Sequence, residues 1–185
     1  MSNAPRSTRS FQKIDLNDLN HLADIARAKL ETVFKRRPRL HRLYENRLIA
    51  LCLCQGAAEH YVHPRSKLSR GVNDFDVWAF FALTRRTPFW NRRSSPADFG
   101  PSKFRRSSRD LSRYVGRRID IFWRAIPTTP DPNPLEAIRC WLSTGRRASA
   151  RHLSKKSVVV IWPKKQAGKI LWPQTERPVR MPRGT

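Results

Sequence analysis

The sequence predicts an α/β (α+β) fold, a mixed sheet of about four to five strands flanked by helices. Two observations carry this. Three runs, VNDFDVWAFFAL, RRIDIFWRAI and VVVIW, are rich in the β-branched and aromatic residues that suit strands. Between and around them lie stretches whose apolar residues recur at helical spacing. The resulting order is helices, strand, helix, strands, helices, strands, with no internal repeat.

The first helix begins at Asp15, which can cap it, with Asp18 at the third position adding charge favourable to a helix N-terminus. Leu19, Leu22, Ala23, Ala26, Leu30, Val33 and Phe34 mark its buried face. It ends near Arg37, because Pro38 disfavours the helical conformation in the residue before it. A second short helix is expected over 39–47. Leu48–Cys54 reads as a buried strand or as a continuing helix, since so short an apolar run has no diagnostic period. Residues 55–71 give mixed signals and close in a turn at Gly71. Val72–Leu83 is a strand. Residues 85–113 form a long basic loop with a helix expected after Ser107. Arg117–Ile126 is the second strong strand. Asn133 caps a helix with Pro134 at its first position, and Ala137, Ile138, Trp141 and Leu142 form its apolar face. A short helix over Ala148–Lys156, a strand over Val158–Trp162, a turn at KKQAG and a last strand over Lys169–Trp172 complete the chain. A single domain over 13–172 is expected, between a disordered basic tail (1–12) and a flexible tail (173–185).

The 185 residues carry 38 Lys and Arg against 14 Asp and Glu, a net charge of +24. The excess belongs to the body of the chain and not to its ends. Residues 48–84 balance to zero. Residues 85–118 carry eleven basic side chains and two acids, and residues 137–172 carry nine basic side chains and no acid. Such a field attracts polyanions: nucleic acid, nucleotide phosphates or an anionic surface. No apolar run is long enough to span a membrane, and no segment combines a basic face with a broad apolar one, so no membrane partner is expected. Cys52, Cys54 and Cys140 are too few and too scattered for a disulfide framework or a four-ligand zinc site. Cys52 and Cys54 read as small core hydrophobes in a reduced, cytoplasmic protein.

In a chain so poor in acids, the position of each carboxylate is informative. Asp74 and Asp76 lie in a strand-like run, where period two puts both on one face with Phe75 and Val77 on the other. Asp120 is embedded between Ile119 and Ile121. Asp is disfavoured in strands, and a buried carboxylate is costly unless paired. Arginine partners or a divalent cation would relieve the cost. A hard cation such as Mg²⁺ takes carboxylate oxygens and keeps positions for water and substrate phosphates. If the two strands are neighbours, three carboxylates converge on one metal site.

These residues resemble the nucleotidyltransferase superfamily, with its polymerase-beta-like fold. Its pattern is a Gly and a small residue after a strand, then hydrophobic-Asp-hydrophobic-Asp-hydrophobic, then a third acid on a later strand. Here Cys-Gln-Gly56-Ala57 is similar to the Gly-Ser element, GVNDFDVW supplies Asp74 and Asp76, and RRIDIF supplies Asp120. The resemblance covers 48–124. It implies that Asp74 and Asp76 bind Mg²⁺ (or Mn²⁺) and a nucleoside triphosphate. It implies that Asp120 completes a second metal site and helps to activate an acceptor hydroxyl, on RNA such as tRNA or on another acceptor. It makes the Gly56–Ala57 turn the holder of the triphosphate. Ala57 stands where the family carries Ser, so backbone N–H groups would have to serve there, and the segment from Gly56 to Asp74 is longer than usual. Arg65, Lys67 and Arg70, just before the acids, are candidate triphosphate contacts.

Other constellations are weaker. His60 and His63 share a helix face only if 55–63 is helical, and no third zinc ligand is evident. Phe89, Trp90, Phe99 and Phe104 interleave with Arg92, Arg93, Lys103, Arg105 and Arg106. With Arg85 and Arg86, these form either a nucleic-acid surface, where rings stack on bases and cations meet phosphates, or a loop whose rings anchor it to the core. Ser94, Ser95, Ser107 and Ser108 read as loop residues, and Lys155 and Lys156 as surface charges near a helix C-terminus. The rival to the enzyme is therefore a non-catalytic basic nucleic-acid-binding module with its Asp residues engaged by Arg.

Overall fold

The computed structural model describes residues 9–65, 69–83, 91–93 (backbone only) and 96–173. Helix α1 (Leu16–Lys35) starts at Asp15 in a reciprocal capping box: Asp15 accepts from the Asp18 N–H, and Asp18 accepts from the Asp15 N–H. Its buried residues are Leu19, Leu22, Ala23, Ala26 and Leu30, the face expected from the spacing. Helix α2 (Pro38–Tyr44) follows with Pro in its first turn. The chain then enters strand β1 (Leu48–Cys54), resolving the ambiguity of that run in favour of a strand. Helix α3 is Gln55–Val62, β2 is Phe75–Leu83, β3 is Asn91–Arg93, β4 is Ala97–Asp98 and β5 is Arg118–Pro127. Helices α4 (Leu135–Thr144) and α5 (Ala148–Leu153) lead to β6 (Val158–Trp162), a 3₁₀ turn (Lys164–Gln166) and β7 (Ile170–Trp172).

One mixed sheet runs in the order β3-β5-β2-β1-β6-β7, with β4 also paired to β5. Among the described residues the strands number seven, more than the four to five expected. β3 and β4 are too short to leave a period in the sequence. Strands β2 and β5 are parallel and every other pairing is antiparallel. Period two divides the strand side chains between two cores. Leu51, Leu53, Phe75, Val77, Phe81, Ile119, Ile121 and Trp123 pack with α1 and α3. Cys52, Cys54, Trp78, Phe80, Val158 and Val160 pack with α4 and α5. Burial on both faces explains why these strands read as continuous apolar runs.

The helix expected after Ser107 is not formed. Ser107 and Asp110 bond each other's backbone instead, with Ser107 N–H donating to Asp110 Oδ2 and Asp110 N–H donating to the Ser107 carbonyl. Such local bonds compete with helix formation. The helix expected to have Pro134 at its first position begins one residue later, and Asn133 Oδ1 accepts from the Leu135 N–H. Phe99 and Phe104 are fully buried and pack edge-on to each other and around Phe75. They anchor the loop to the core, which leaves no free face for base stacking. Residues 10–12, expected within a disordered tail, are bonded to the domain: Ser10 pairs with Val72 through two backbone bonds, and the Gln12 carbonyl meets His60 Nε2.

Cys52 and Cys54 are fully buried, and burial pushes both thiols well above their ordinary pKa. Cys140 is exposed. A maleimide titration of the native protein is therefore expected to modify one thiol quickly, with the other two reacting only after unfolding. Rapid labelling of all three thiols in the native state would contradict the packing of β1.

Candidate functional site

Three strands bring the motif residues together. In the register of the sheet, Cys54 at the end of β1 lies opposite Asp76 on β2, and Asp76 lies opposite Asp120 on β5. The row exists because β1 runs against β2 while β5 runs with it. The last residue of β1 therefore meets the start of β2. Asp76 and Asp120 share the sheet face that carries Trp78 and Phe80. The strands are thus neighbours, as the expected convergence required, but the carboxylates of Asp74, Asp76 and Asp120 do not gather into one metal-ligating group.

A cleft of about 670 Å³ opens at this end of the sheet, and Asp74, Asp76 and Glu59 contribute carboxylates to its lining. Arg9, Arg70, Lys155 and Lys156 contribute cations, and His152 lies among them. The first turn of α3 forms another wall through Gln55, Gly56 and Ala57. A Cβ at Gly56 would meet nothing within 4 Å, so the backbone there faces open space. Gln55 has φ +60°, a left-handed conformation that a non-glycine side chain adopts at a cost. Its Nε2 is buried with no hydrogen-bond partner among the described residues. An unsatisfied buried donor costs free energy.

The acids differ in their surroundings. Asp74 and Asp76 border the cleft and are partly exposed. Asp120 is buried at 2% exposure, does not line the cleft, and accepts from Arg118 Nη2 at 2.6 Å. That bond is the largest influence holding the Arg118 pKa above its ordinary value. The pair offsets part of the cost of burying the Asp120 carboxylate through its Oδ2, as one of the two remedies expected from sequence. Among the described residues, no group of three His, Cys, Asp or Glu side chains stands in the arrangement of a metal site. The donor set that fits a hard cation is the Asp74–Asp76 pair at the cleft, since such cations take few protein carboxylates and complete their shell with water and phosphate.

The basic candidates separate. Arg70 lines the cleft, and its carbonyl accepts from Arg9 Nη1 at 3.2 Å. Arg65 is exposed and does not line the cleft. Lys67, Arg85, Arg86, Phe89 and Trp90 lie outside the described residues, as do the side chains of Arg92 and Arg93. Lys103 forms ion pairs with Asp15 and Asp18 at 2.6 and 2.8 Å, which tie its loop to the start of α1. Arg105 and Arg106 are exposed. His60 is buried between Ser69 Oγ and the Gln12 carbonyl, a structural place that leaves neither ring nitrogen for zinc.

Sequence reasoning missed Arg9, Lys155 and Lys156. The two lysines follow α5, yet they face a cleft built a hundred residues earlier in the chain. A fixed link holds them there: Glu59 of α3 accepts from both the N–H and the Oγ of Ser157. Only the absence of acids across 137–172 signalled a role for this region. No helix of the described residues is long and apolar enough to cross a membrane. No protein-family model, no curated protein and no solved structure matches the chain.

Proposed function

We propose that the cleft binds a nucleoside triphosphate with a divalent cation and that the protein transfers a nucleotidyl group to an acceptor hydroxyl, the acceptor oxygen bonding to the α-phosphorus as pyrophosphate leaves and the hydroxyl proton is released. The observation that carries this reading is the alignment of three chain segments at one end of three adjacent strands. These segments are the Gly56 turn after β1, Asp74 and Asp76 at the start of β2, and Asp120 on β5. Asp74 and Asp76 would hold Mg²⁺ or Mn²⁺. When bound, the cation supplies neutralisation of phosphate charge and polarisation of the reacting phosphorus centre.

The protein's own groups supply the rest. The α3 backbone at Gly56 and Ala57 offers unsatisfied N–H groups to phosphate oxygens, aided by the positive end of the helix. Ala57 gives no hydroxyl, so the backbone N–H groups are the donors on this wall. Arg70, Lys155 and Lys156 balance the charge of the polyphosphate from the other walls. Asp120 acts through position: its ion pair with Arg118 fixes a carboxylate one strand away from Asp76. A role for Asp120 in activating the acceptor requires Arg118, whose side chain is 31% exposed, to turn toward solvent.

Gly56 provides the direct test. Nothing surrounds its missing Cβ, and the residue is helical, so Gly56→Leu is expected to keep the melting temperature while filling the space that the phosphates need. Calorimetry with Mg²⁺ and each triphosphate in turn should show binding to the parent protein and a loss of about tenfold or more in the variant. Equal binding by the two proteins would refute the placement of the triphosphate at α3.

A further inference from the structure

A separate pocket of about 360 Å³ lies at the far end of the sheet from the cleft. Strands β2 and β5 are the parallel pair, and their last residues, Leu83 and Pro127, stand in register and line it. Leu83 is seven residues beyond Asp76, about 23 Å along the strand. Open α/β sheets receive ligands in crevices at the carboxyl ends of such strands. Cys140 and Trp141 of α4 form another wall, and the exposed Arg146 and Arg147 border the pocket after that helix. Among the described residues no carboxylate lines it.

The walls are held in place. The Trp141 and Phe80 rings meet edge-on at 5.6 Å between centroids, and the Arg124 guanidinium lies 5.9 Å from the centre of Trp141. Arg124 Nη2 donates to Ser149 Oγ, which ties β5 to α5. The connection from α4 to α5 turns at Gly145 with φ +57°. Arg151 Nη1 donates to the carbonyls of Gly145 and Arg146, at 3.0 and 3.3 Å, and so fixes the backbone that carries Arg146. No carboxylate among the described residues pairs with the Arg146 side chain. Positive charge accumulates at this edge: burial, and then the neighbouring Arg147 charge, hold the Arg124 pKa below its ordinary value.

We propose that this pocket binds a small carboxylate with an apolar body, the body against Leu83, Pro127 and Trp141 and the carboxylate on the Arg146 guanidinium. Small-molecule sites occupy about 300–1,000 Å³, are mostly apolar and carry a few polar groups that fix orientation. Apolar walls alone would accept a neutral ligand, whereas arginines at one edge with no acid beside them select an anion. A guanidinium meets a carboxylate through two parallel N–H bonds. A metal-bound triphosphate is disfavoured, because the pocket offers no carboxylate to a divalent cation, in contrast to the cleft. None of these residues lines the cleft, so the site stands whether or not the cleft takes a nucleotide.

Cys140 is exposed and lines the pocket, so its rate of reaction with maleimide reports occupancy. The probe is 2-naphthoate, added in rising concentration to the full chain at fixed ionic strength. Labelling is expected to slow to a plateau. Acetate, which lacks the apolar body, and 2-naphthalenemethanol, which lacks the charge, should need concentrations about tenfold higher or more for the same effect. Arg146→Glu should raise the midpoint for 2-naphthoate by about tenfold or more. Arg105→Glu makes the same change of charge on the loop that pairs with Gly116, before β5 begins, and should leave the midpoint where it is. Labelling that ignores 2-naphthoate, or that responds equally to acetate or to the alcohol, would overturn the site. So would a midpoint that Arg146→Glu moves no further than Arg105→Glu does.

Discussion

Asp76→Asn abolishes Mg²⁺-dependent triphosphate binding and leaves the fold intact: this is the largest functional effect expected of any single substitution in the cleft. The amide has the shape of the carboxylate, so the packing at the start of β2 persists. The charge that a hard cation needs is gone. Changing a residue that merely orients a metal ligand costs roughly 10- to 100-fold in affinity, so loss of a ligand itself should cost about 100-fold or more. The effect on stability runs the other way. Asp76 stands in register with Asp120 on the adjacent strand and shares its sheet face, and two like charges so placed repel. Removing one should leave the melting temperature unchanged or slightly raised. Calorimetry with Mg²⁺ and each triphosphate, repeated with EDTA, reads the first effect, and thermal unfolding followed by circular dichroism reads the second. Unchanged triphosphate binding in Asp76→Asn would remove the metal-site reading. RNA affinity that falls steeply with salt and ignores both metal and Asp76 would then favour the non-catalytic binding module.

The contrast between the acids shows what a sequence can hold. That Asp74, Asp76 and Asp120 are out of place in apolar strands follows from composition alone. Which remedy each found depends on distant partners. Asp120 found Arg118, two residues away on the same strand and face. Asp74 and Asp76 border a cleft whose cations come from residue 9 and from residues 155 and 156. The strands were legible because their period and composition are local. Helix α3 was not, because QGAAEHYV opens with Gln and Gly and no side chain caps it. The cleft wall it forms depends on a left-handed residue, Gln55, that propensity would place elsewhere. Residues 10–12 read as a tail because their pairing partner, Val72, is sixty residues away. In each case the missing information is a non-local contact that overrides a weak local preference.

Gly116→Ala is expected to produce the largest loss of stability among the glycine substitutions, and the reason is a crossing of two backbones. A Cβ on Gly116 would lie 2.1 Å from the Gly100 carbonyl oxygen and 2.7 Å from its nitrogen. Neither neighbour is a flexible side chain that can swing aside. Nor can the backbones separate freely, because the Asp98 carboxylate holds both: it accepts from the N–H groups of Gly100, Val115 and Gly116. Overpacking a rigid contact costs about 1–3 kcal/mol and more where backbone must move. For a chain of this size, about 3 kcal/mol lowers the melting temperature by roughly 6–12 °C. Gly100→Ala is the control. No atom lies within 4 Å of its Cβ position, but its φ of +80° is strained for alanine, so a loss of only about 1–2 kcal/mol is expected. The crossing also matters to the site. Phe99 and Phe104 flank it and pack on Phe75, the residue between Asp74 and Asp76. Thermal unfolding of the two variants therefore checks whether the basic loop is held fixed against the strand that carries Asp76. A melting temperature for Gly116→Ala equal to that of the parent would show that the loop is not held at this crossing.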